Sequence, residues 1–224
     1  IIEKIKNTFK KCKRIGIYAS TKSVHLKSLE ELTTLRENGL DIAYLGLESG
    51  SDKVLDKVNK GDTREGIIKA GRKLKEAGIK VSLTVISGLG GADLYREHAI
   101  ETAKAVNEIN PEFLGLLTLM IEPGTRLYDE VRNGSFKLLS PNEIAVETLM
   151  ILENLDSPGT VFRSNHASNY IPLKGTLNQD ITSLLKQIRR AMEDGSYKDE
   201  LYRRLWFQLF NKVYLRVKLD RKYK

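Results

Sequence analysis

The chain is poor in cysteine and in long apolar runs, and each absence argues against a class of protein. Cys12 is the single cysteine among 224 residues, so no internal disulfide can form, and this favours a reducing, cytoplasmic environment. No run of eighteen apolar residues occurs, so we expect no membrane span, and the first residues form no apolar signal-peptide core. The chain begins at Ile1 within a pattern typical of an amphipathic helix, and we expect a fragment that lacks its own N-terminus.

The remaining composition describes a globular protein whose positive charge is concentrated at its two ends. Hydrophobic residues make up 41% of the chain and charged residues 29%, as in folded domains. The net charge is +8, to which residues 1–14 contribute +5 (six Lys or Arg, one Glu) and residues 195–224 contribute +6 (nine Lys or Arg, three Asp or Glu), which leaves −3 for the body. A nucleic-acid enzyme more often carries basic residues across its working face. Two solvated terminal helices are therefore favoured over RNA contact.

Short β-branched runs alternate with helical patterns along the chain. Apolar residues at helical spacing fill the intervals, and several intervals end at Asn-Gly, Ala-Gly or Asn-Pro. Strands separated by helices in this way form βα units, so we predict an α/β fold with parallel strands. The units are too few to close a barrel of eight strands, so they suit a fragment of a barrel or a partial barrel. The β-branched runs are residues 15–19, 42–47, 79–86, 113–121 and 160–162.

Small, hydroxyl and glycine residues recur at the predicted carboxyl ends of these strands. A parallel sheet binds its ligands at this edge, so these ends are the candidate site. The first of them to carry a carboxylate is Glu48, which ends the apolar run Tyr44-Leu45-Gly46-Leu47 and precedes Ser49-Gly50. The other ends are Ser20-Thr21, Ser87-Gly88-Leu89-Gly90-Gly91 and Glu122-Pro123-Gly124-Thr125.

Three segments together resemble the radical S-adenosylmethionine (SAM) superfamily. Leu45–Ser51 with Asn59–Thr63 is similar to its fourth strand, Val85–Gly91 to its fifth, and Leu119–Tyr128 to its sixth. The branch is the one with oxygen-independent coproporphyrinogen oxidases, methylthiotransferases and iron–sulfur oxidoreductases. The resemblance covers about residues 1–190 and implies a TIM-like (β/α) barrel.

The resemblance implies which residues would contact SAM. Glu48 would accept hydrogen bonds from the amino group or the ribose, Lys60 would approach the SAM carboxylate, and Thr84 would make a weaker ribose contact. Glycine in the Ser87-Gly88 turn would let the backbone approach the adenine closely. The full predicted set is Glu48, Ser49, Lys60, Thr84, Ser87, Gly88 and Met120.

The defining cysteine motif of the family is missing. Its Cys-x-x-x-Cys-x-x-Cys loop supplies the thiolates that hold a [4Fe–4S] cluster, and only Cys12 is present here. We therefore expect a partial barrel that lacks its first βα units, followed by C-terminal helices. SAM and the cluster are implied for the intact enzyme, whereas this chain alone is expected to bind neither and to be inactive.

Two histidines are interpreted differently, one as a surface residue and one as a candidate site residue. His98 lies after Arg96-Glu97 in a helical pattern that predicts a helix over residues 97–109, and we expect it at the surface. His166 lies in a non-helical stretch crowded with hydrogen-bonding side chains, which indicates either substrate contact or a turn that satisfies its own backbone. The candidate substrate residues, with no metal ligands assigned, are Asn165, His166, Asn169 and Tyr170.

We predict three regions: a partial barrel at 1–155, an extension with the candidate substrate segment at 156–194, and a basic amphipathic helix at 195–224. The favoured function of the intact protein is that of a radical SAM, iron–sulfur oxidoreductase-like enzyme that cleaves SAM and abstracts hydrogen from an unassigned small or macromolecular substrate. The alternatives are a cluster-free TIM-barrel-like enzyme with Glu48 as general base, and a non-catalytic module that binds RNA or protein. An exposed sheet edge would favour self-association.

Overall fold

The sheet follows the chain strand by strand. The computed structural model describes residues 1–199, and within them six strands lie side by side in chain order. The first four pairings are parallel and the last is antiparallel. The strands are β1 (Ile15–Ala19), β2 (Leu40–Glu48), β3 (Lys80–Ser87), β4 (Phe113–Thr118), β5 (Val161–Ser164) and β6 (Leu173–Thr176).

Helices connect the parallel strands. Serine and threonine caps begin most of them, and Ser28 and Ser140 each form a capping box with the Glu three residues later, which satisfies the free amides of the first turn. Residues 1–199 contain nine helices: α1 (Ile2–Thr8), α2 (Thr21–His25), α3 (Leu29–Glu37), α4 (Asp52–Lys57), α5 (Arg64–Glu76), α6 (Gly91–Ile109), α7 (Arg126–Arg132), α8 (Pro141–Glu153) and α9 (Ile181–Asp194).

The strand order is that of a (β/α) barrel segment, because each parallel strand pairs with the next one along the chain and a helical connection lies between them. The predicted α/β class and parallel pairing are confirmed for β1 to β5. The structure differs from the prediction in three places. It adds β6 as an antiparallel edge strand after a short connection. Strand β4 ends at Thr118 rather than at residue 121, and α6 begins at Gly91 rather than at residue 97.

The two faces of the sheet have different surroundings. Along β3, Val81, Leu83 and Val85 are at most 1% exposed and belong to the main core, which also contains buried residues of α5, α6, α8 and α9. The alternate residues Thr84 and Ile86 are only half-buried. This period of two, which β2 and β4 share, places one face of the central strands against the helices and turns the other face toward the inside of the partial barrel.

The ends of the described part leave several predictions open. The sheet has β1 at one edge, where Tyr18 is 88% exposed, so self-association through this edge stays a prediction. The predicted basic helix at 195–224 lies almost entirely outside the described residues, and the three predicted regions stay a prediction as well. Among the described residues, no helix is long and apolar enough to cross a membrane.

Gly50 fixes the distance between the end of β2 and α6. Its amide donates to Thr102 Oγ1 at 2.9 Å, and a Cβ at this position would lie 2.1 Å from the carbonyl oxygen of Glu101. Real carbon and oxygen atoms do not approach that closely, so only glycine lets the turn after Glu48 rest directly on the helix.

We predict that Gly50→Ala lowers the free energy of unfolding by about 2 kcal/mol, since the backbone of either the turn or α6 must move. Gly115→Ala in β4 is the matched control, because its Cβ would meet atoms no nearer than 3.6 Å, an ordinary contact. Urea denaturation of the two variants measures the difference. Equal stabilities would show that the close approach at Gly50 is unimportant.

Candidate functional site

A cavity opens at the carboxyl ends of the central strands, where the sequence places its candidate site. Its volume is about 520 Å³, within the range of small-molecule sites in proteins. Its lining comes from the ends of β2, β3 and β4, from the loop at 58–60 and from the segment after β5. The lining residues are Glu48, Val58, Asn59, Lys60, Ile86, Leu89, Leu117, Leu119, Met120, Thr118, His166 and Ser168.

Glu48 enters this cavity from a strained backbone position. Its φ is +60°, a left-handed value that non-glycine residues rarely adopt, and the amide of Ser49 donates to the carbonyl of Leu47 at 2.7 Å around it. The β2–β3 register also shifts between Gly46 and Glu48. A bulge and a three-residue turn together re-aim the side chain at the end of a strand, and such strain is concentrated at functional sites.

The Glu48 carboxylate is paired with an ammonium group. Lys60 Nζ lies 3.1 Å from Glu48 Oε1, and both side chains are about one quarter exposed. A Cβ at Gly46 would lie 2.1 Å from Glu48 Oε1 and 2.9 Å from Lys60 Nζ, so the absence of a side chain there gives the pair its space. The site thus presents one anionic and one cationic group, both partly accessible, at adjacent points of the cavity wall.

The segment after β5 contributes His166 and Ser168 to the cavity lining. His166 Nδ1 lies 2.9 Å from Ser168 Oγ, and Ser168 Oγ accepts the amide of Thr118 at 3.1 Å. The Asn169 side chain donates to the carbonyl of Leu116 at 2.7 Å and accepts from Thr118 Oγ1 at 3.0 Å. These bonds fix the segment to the end of β4. Burial, and to a smaller extent the positive charge of Lys198, lower the pKa of His166, so its imidazole is mainly neutral at pH 7.

The structure brings some of the predicted site residues together and places others behind the wall. Glu48, Lys60, Met120 and His166 line the cavity. Thr84 is not in the lining but is on the same inner face of the sheet, two positions before Ile86. The other predicted residues outside the cavity lining are Ser49 and Ser87, both buried, Gly88, whose amide points into the protein, Asn169, which is 2% exposed, Tyr170, which lines a smaller neighbouring cavity, and Asn165, which is exposed.

His98 is not at the surface, so that expectation is wrong. It is fully buried in α6, with Nδ1 2.8 Å from Ser49 Oγ and Nε2 3.8 Å from Glu147 Oε1 of α8. Glu147 is also fully buried and accepts the amide of Gly88 at 2.8 Å. Burial lowers the pKa of His98 to about 4. Burial raises the pKa of Glu147 to about 7, against the smaller opposite effects of the Gly88 amide and the Ser87 hydroxyl.

Sequence reasoning missed this buried pair because histidine and glutamate usually lie on exposed helix faces. A signal for Glu147 was nevertheless present. It lies three residues after Ile144 and four before Ile151, both of them buried, so helical spacing puts it on the apolar face of α8. For His98 the helical face was harder to assign, since the prediction began α6 six residues too late.

Comparison with known proteins supports the predicted family. The sequence profile of the radical SAM superfamily matches residues 1–106. The predicted resemblance to the radical SAM superfamily is confirmed over this part of the chain. An uncharacterized protein of Methanocaldococcus jannaschii is 32% identical over 144 residues, which are 63% of this chain and 44% of that protein. The heme chaperone HemW of Bacillus subtilis is 25% identical over 134 residues, 59% of this chain and 35% of HemW. The chain spans less than half the length of both relatives.

A solved structure supports the fold assignment. Archaeal Elp3 from Methanocaldococcus infernus, solved with an N-terminal deletion, superimposes with a TM-score of 0.60 at 20% identity over 88% of this chain and 45% of that chain. The likeness shows a shared fold, and the predicted partial TIM-like barrel is confirmed.

The radical SAM superfamily implies two groups for the intact enzyme, SAM and a [4Fe–4S] cluster, and the residues present fit only one of them. The Glu48 carboxylate and the Lys60 ammonium match the ammonium, hydroxyl and carboxylate groups of SAM, and the cavity has the size of a cofactor site. The cluster needs thiolates, and the whole chain has one cysteine, Cys12, which is exposed. Residues 1–199 contain no group of three His, Cys, Asp or Glu side chains that could hold a metal ion.

The strain at Glu48 can be tested with two substitutions. We expect Glu48→Gly to be more stable than Glu48→Ala by about 1 kcal/mol, since glycine adopts a φ of +60° freely and alanine does not. Thermal unfolding of both variants gives the comparison. If alanine proves the more stable, as at an ordinary strand position, the left-handed conformation is not present in solution.

The raised pKa of Glu147 makes the stability of the protein depend on pH. Its pKa is about 7 when folded against a reference of 4.5, so the folded state holds the proton more tightly and the carboxyl's contribution to stability is lost as pH rises from about 4.5 to 7. Glu147→Gln does not titrate. We expect the stability of the parent relative to this variant to fall by up to about 1.4 kcal/mol per pH unit across that window.

Both proteins retain His98, whose lowered pKa acts in the opposite direction, so the difference between them isolates the carboxyl. Urea unfolding at pH 5, 6 and 7 provides the measurement. Parallel pH profiles for the two proteins would mean that Glu147 is not buried in its neutral form.

Proposed function

We propose that this chain is the SAM-binding part of a longer radical SAM enzyme. The observation that carries the proposal is the Glu48–Lys60 pair, held at 3.1 Å over Gly46 where β2 ends in the 520 Å³ cavity. A carboxylate placed by a strained turn, next to an ammonium group and beside an apolar wall, suits a ligand that carries both charges and an aromatic base. The family resemblance gives that ligand as SAM.

Different residues of the cavity would contact different parts of SAM. Glu48 would accept hydrogen bonds from the SAM ammonium or ribose, and Lys60 would shift from Glu48 toward the SAM carboxylate. Ile86, Leu89 and Leu117 supply apolar surface for the adenosyl group. Met120 would lie beside the cofactor, and Thr84, on the same inner face, would be near enough for a polar contact. Charge-assisted bonds of this kind are the strong ones in a partly desolvated site.

The chemistry of the intact enzyme depends on parts that this chain does not supply. SAM cleavage and hydrogen abstraction need the cluster, and the cysteines for it would come from the portion of the protein that lies outside this chain. A longer protein would agree with the two relatives, since the chain spans less than half of the length of each. The chain alone would therefore bind SAM without cleaving it, which revises the expectation from sequence that it binds neither SAM nor the cluster.

The candidate substrate segment would close the same cavity. His166 lines the same cavity as Glu48, and Ser168 and Asn169 anchor its loop to β4. A neutral imidazole at this place could donate or accept a hydrogen bond from a substrate held next to SAM. We propose His166 as the substrate-facing residue and Asn169 as the residue that holds its loop.

Isothermal titration of SAM into the chain tests the proposal. We expect saturable binding by the parent, and an affinity lower by about tenfold or more for Glu48→Gln, since a hydrogen bond to a charged group contributes about 1.5–3 kcal/mol. Gly46→Ala should weaken binding similarly, because its Cβ would displace both Glu48 and Lys60.

Two variants serve as controls in this titration. Gly115→Ala is a matched strand glycine with room for a Cβ, and Glu37→Gln removes an exposed carboxylate from α3. Both should bind SAM as the parent does. Unchanged SAM affinity in Glu48→Gln, or no binding by the parent, would refute the proposal.

A further inference from the structure

Two buried polar side chains lie directly behind the turns that border the cavity. The first is His98. Ser49 Oγ accepts the amide of Ser51 at 3.0 Å and lies 2.8 Å from His98 Nδ1. If the serine hydroxyl donates to Nδ1, Ser49 Oγ makes one hydrogen bond as acceptor and one as donor, and the ring hydrogen is on Nε2. That nitrogen faces Glu147 Oε1 at 3.8 Å.

The second buried side chain is Glu147. Its Oε1 accepts the amide of Gly88 at 2.8 Å. Gly88 has a φ of +82° and turns the chain from β3 toward α6. The carboxyl therefore fixes the direction of the Ser87-Gly88 turn from inside the protein, much as His98 fixes the turn that follows Glu48.

The two side chains join the two turns to each other. His98 comes from α6 and Glu147 from α8, and these helices pack together behind β2 and β3. In the described part of the chain, they are the only ionisable side chains among the fully buried polar residues. The resulting series runs from the Glu48-Ser49-Gly50 turn through Ser49, His98 and Glu147 to Gly88.

This series is a poor way to stabilise a fold. Among the described residues, His98 Nε2, Ser87 Oγ and Glu147 Oε2 are buried polar atoms without a well-formed hydrogen bond, although the Ser87 hydroxyl is near enough to lower the pKa of Glu147. A buried polar atom without a partner destabilises the folded state, and apolar side chains of similar volume would fill the same space without that penalty. Departures from the apolar pattern of a core are typical of places where a site, rather than stability, sets the residue.

We infer that His98 and Glu147 are positioning residues that hold the Glu48-Ser49-Gly50 turn and the Ser87-Gly88 turn in the geometry that binds SAM. The inference rests on the proposed SAM site. Neither residue touches the cavity, so each acts through the turn that it holds: His98 through Ser49, and Glu147 through the amide of Gly88.

The charge state of Glu147 gives this arrangement a pH dependence. Its pKa is raised by burial to about 7, and that of His98 is lowered by burial to about 4, so both are neutral at pH 6. The groups that face Glu147 are His98 from α6 and Ser87 and Gly88 from the end of β3; the neighbouring Glu97 is engaged with Ser51 and Lys53. Within residues 1–199 no lysine or arginine forms an ion pair with Glu147, and His98 is neutral in this pH range, so ionisation of Glu147 favours opening of the turn to water.

The experiment compares three substitutions in the full chain. Glu147→Gln keeps an oxygen that accepts the Gly88 amide and cannot ionise. Glu147→Leu removes the acceptor and keeps an apolar core. Glu153→Gln, on the same helix but exposed and paired with Arg189, is the control. SAM affinity is measured by isothermal titration at pH 6.5 and 8.5, and exchange of the Gly88 amide by NMR.

We expect Glu147→Leu to lose about tenfold or more in SAM affinity and in Gly88 amide protection, while Glu147→Gln and Glu153→Gln match the parent at pH 6.5. In the parent, SAM affinity should fall by up to about tenfold per pH unit above pH 7, a fall that Glu147→Gln reduces or abolishes. Rescue by glutamine and loss of the pH dependence would not follow from a purely structural role.

Two results would overturn the inference and are distinguishable from each other. If the parent binds SAM and Glu147→Leu binds it equally well, the positioning role is wrong and the proposed function stands. If the parent binds no SAM at either pH, the proposed function fails and the positioning role fails with it, even if the Gly88 amide loses protection in Glu147→Leu.

Discussion

The backbone at Glu48 is the constraint on which the rest of the site depends. A parallel strand delivers its last side chains to one edge of the sheet, but an ordinary strand end would not hold a carboxylate over a neighbouring glycine. A left-handed φ of +60° and a register shift place Glu48 above Gly46 and beside Lys60. Such a conformation persists only where surrounding contacts fix it, and those contacts account for much of the nearby structure.

The fixing contacts come from the helices behind the sheet. Gly50 rests on α6 and bonds to Thr102, and Ser49 bonds to His98. Glu147 holds the next turn through Gly88. These are buried polar contacts in a region that could have been filled with leucine and valine. The arrangement exchanges some stability for a defined geometry at the strand ends, as is common where a rigid scaffold carries a binding site.

Much of this could be predicted from the sequence, because its signals are local. Alternating strand and helix patterns gave the parallel order, and the position of Glu48 at a strand end marked the site. The antiparallel β6 was missed since four residues carry too little pattern, and His98 was misplaced since burial depends on how α6 and α8 meet. The positive φ of Glu48 and the depth of Glu147 arise from tertiary contacts, which no local pattern encodes.

The central claim is that the chain's own residues form a SAM site at the end of β2. A crystal structure of the chain with SAM tests it most directly. The account predicts a SAM amino or ribose group within about 3 Å of the Glu48 carboxylate, with Lys60 drawn toward the SAM carboxylate and the adenine against the Ser87-Gly88 turn. SAM bound elsewhere, or an unchanged Glu48–Lys60 pair in an empty cavity at saturating SAM, would contradict it.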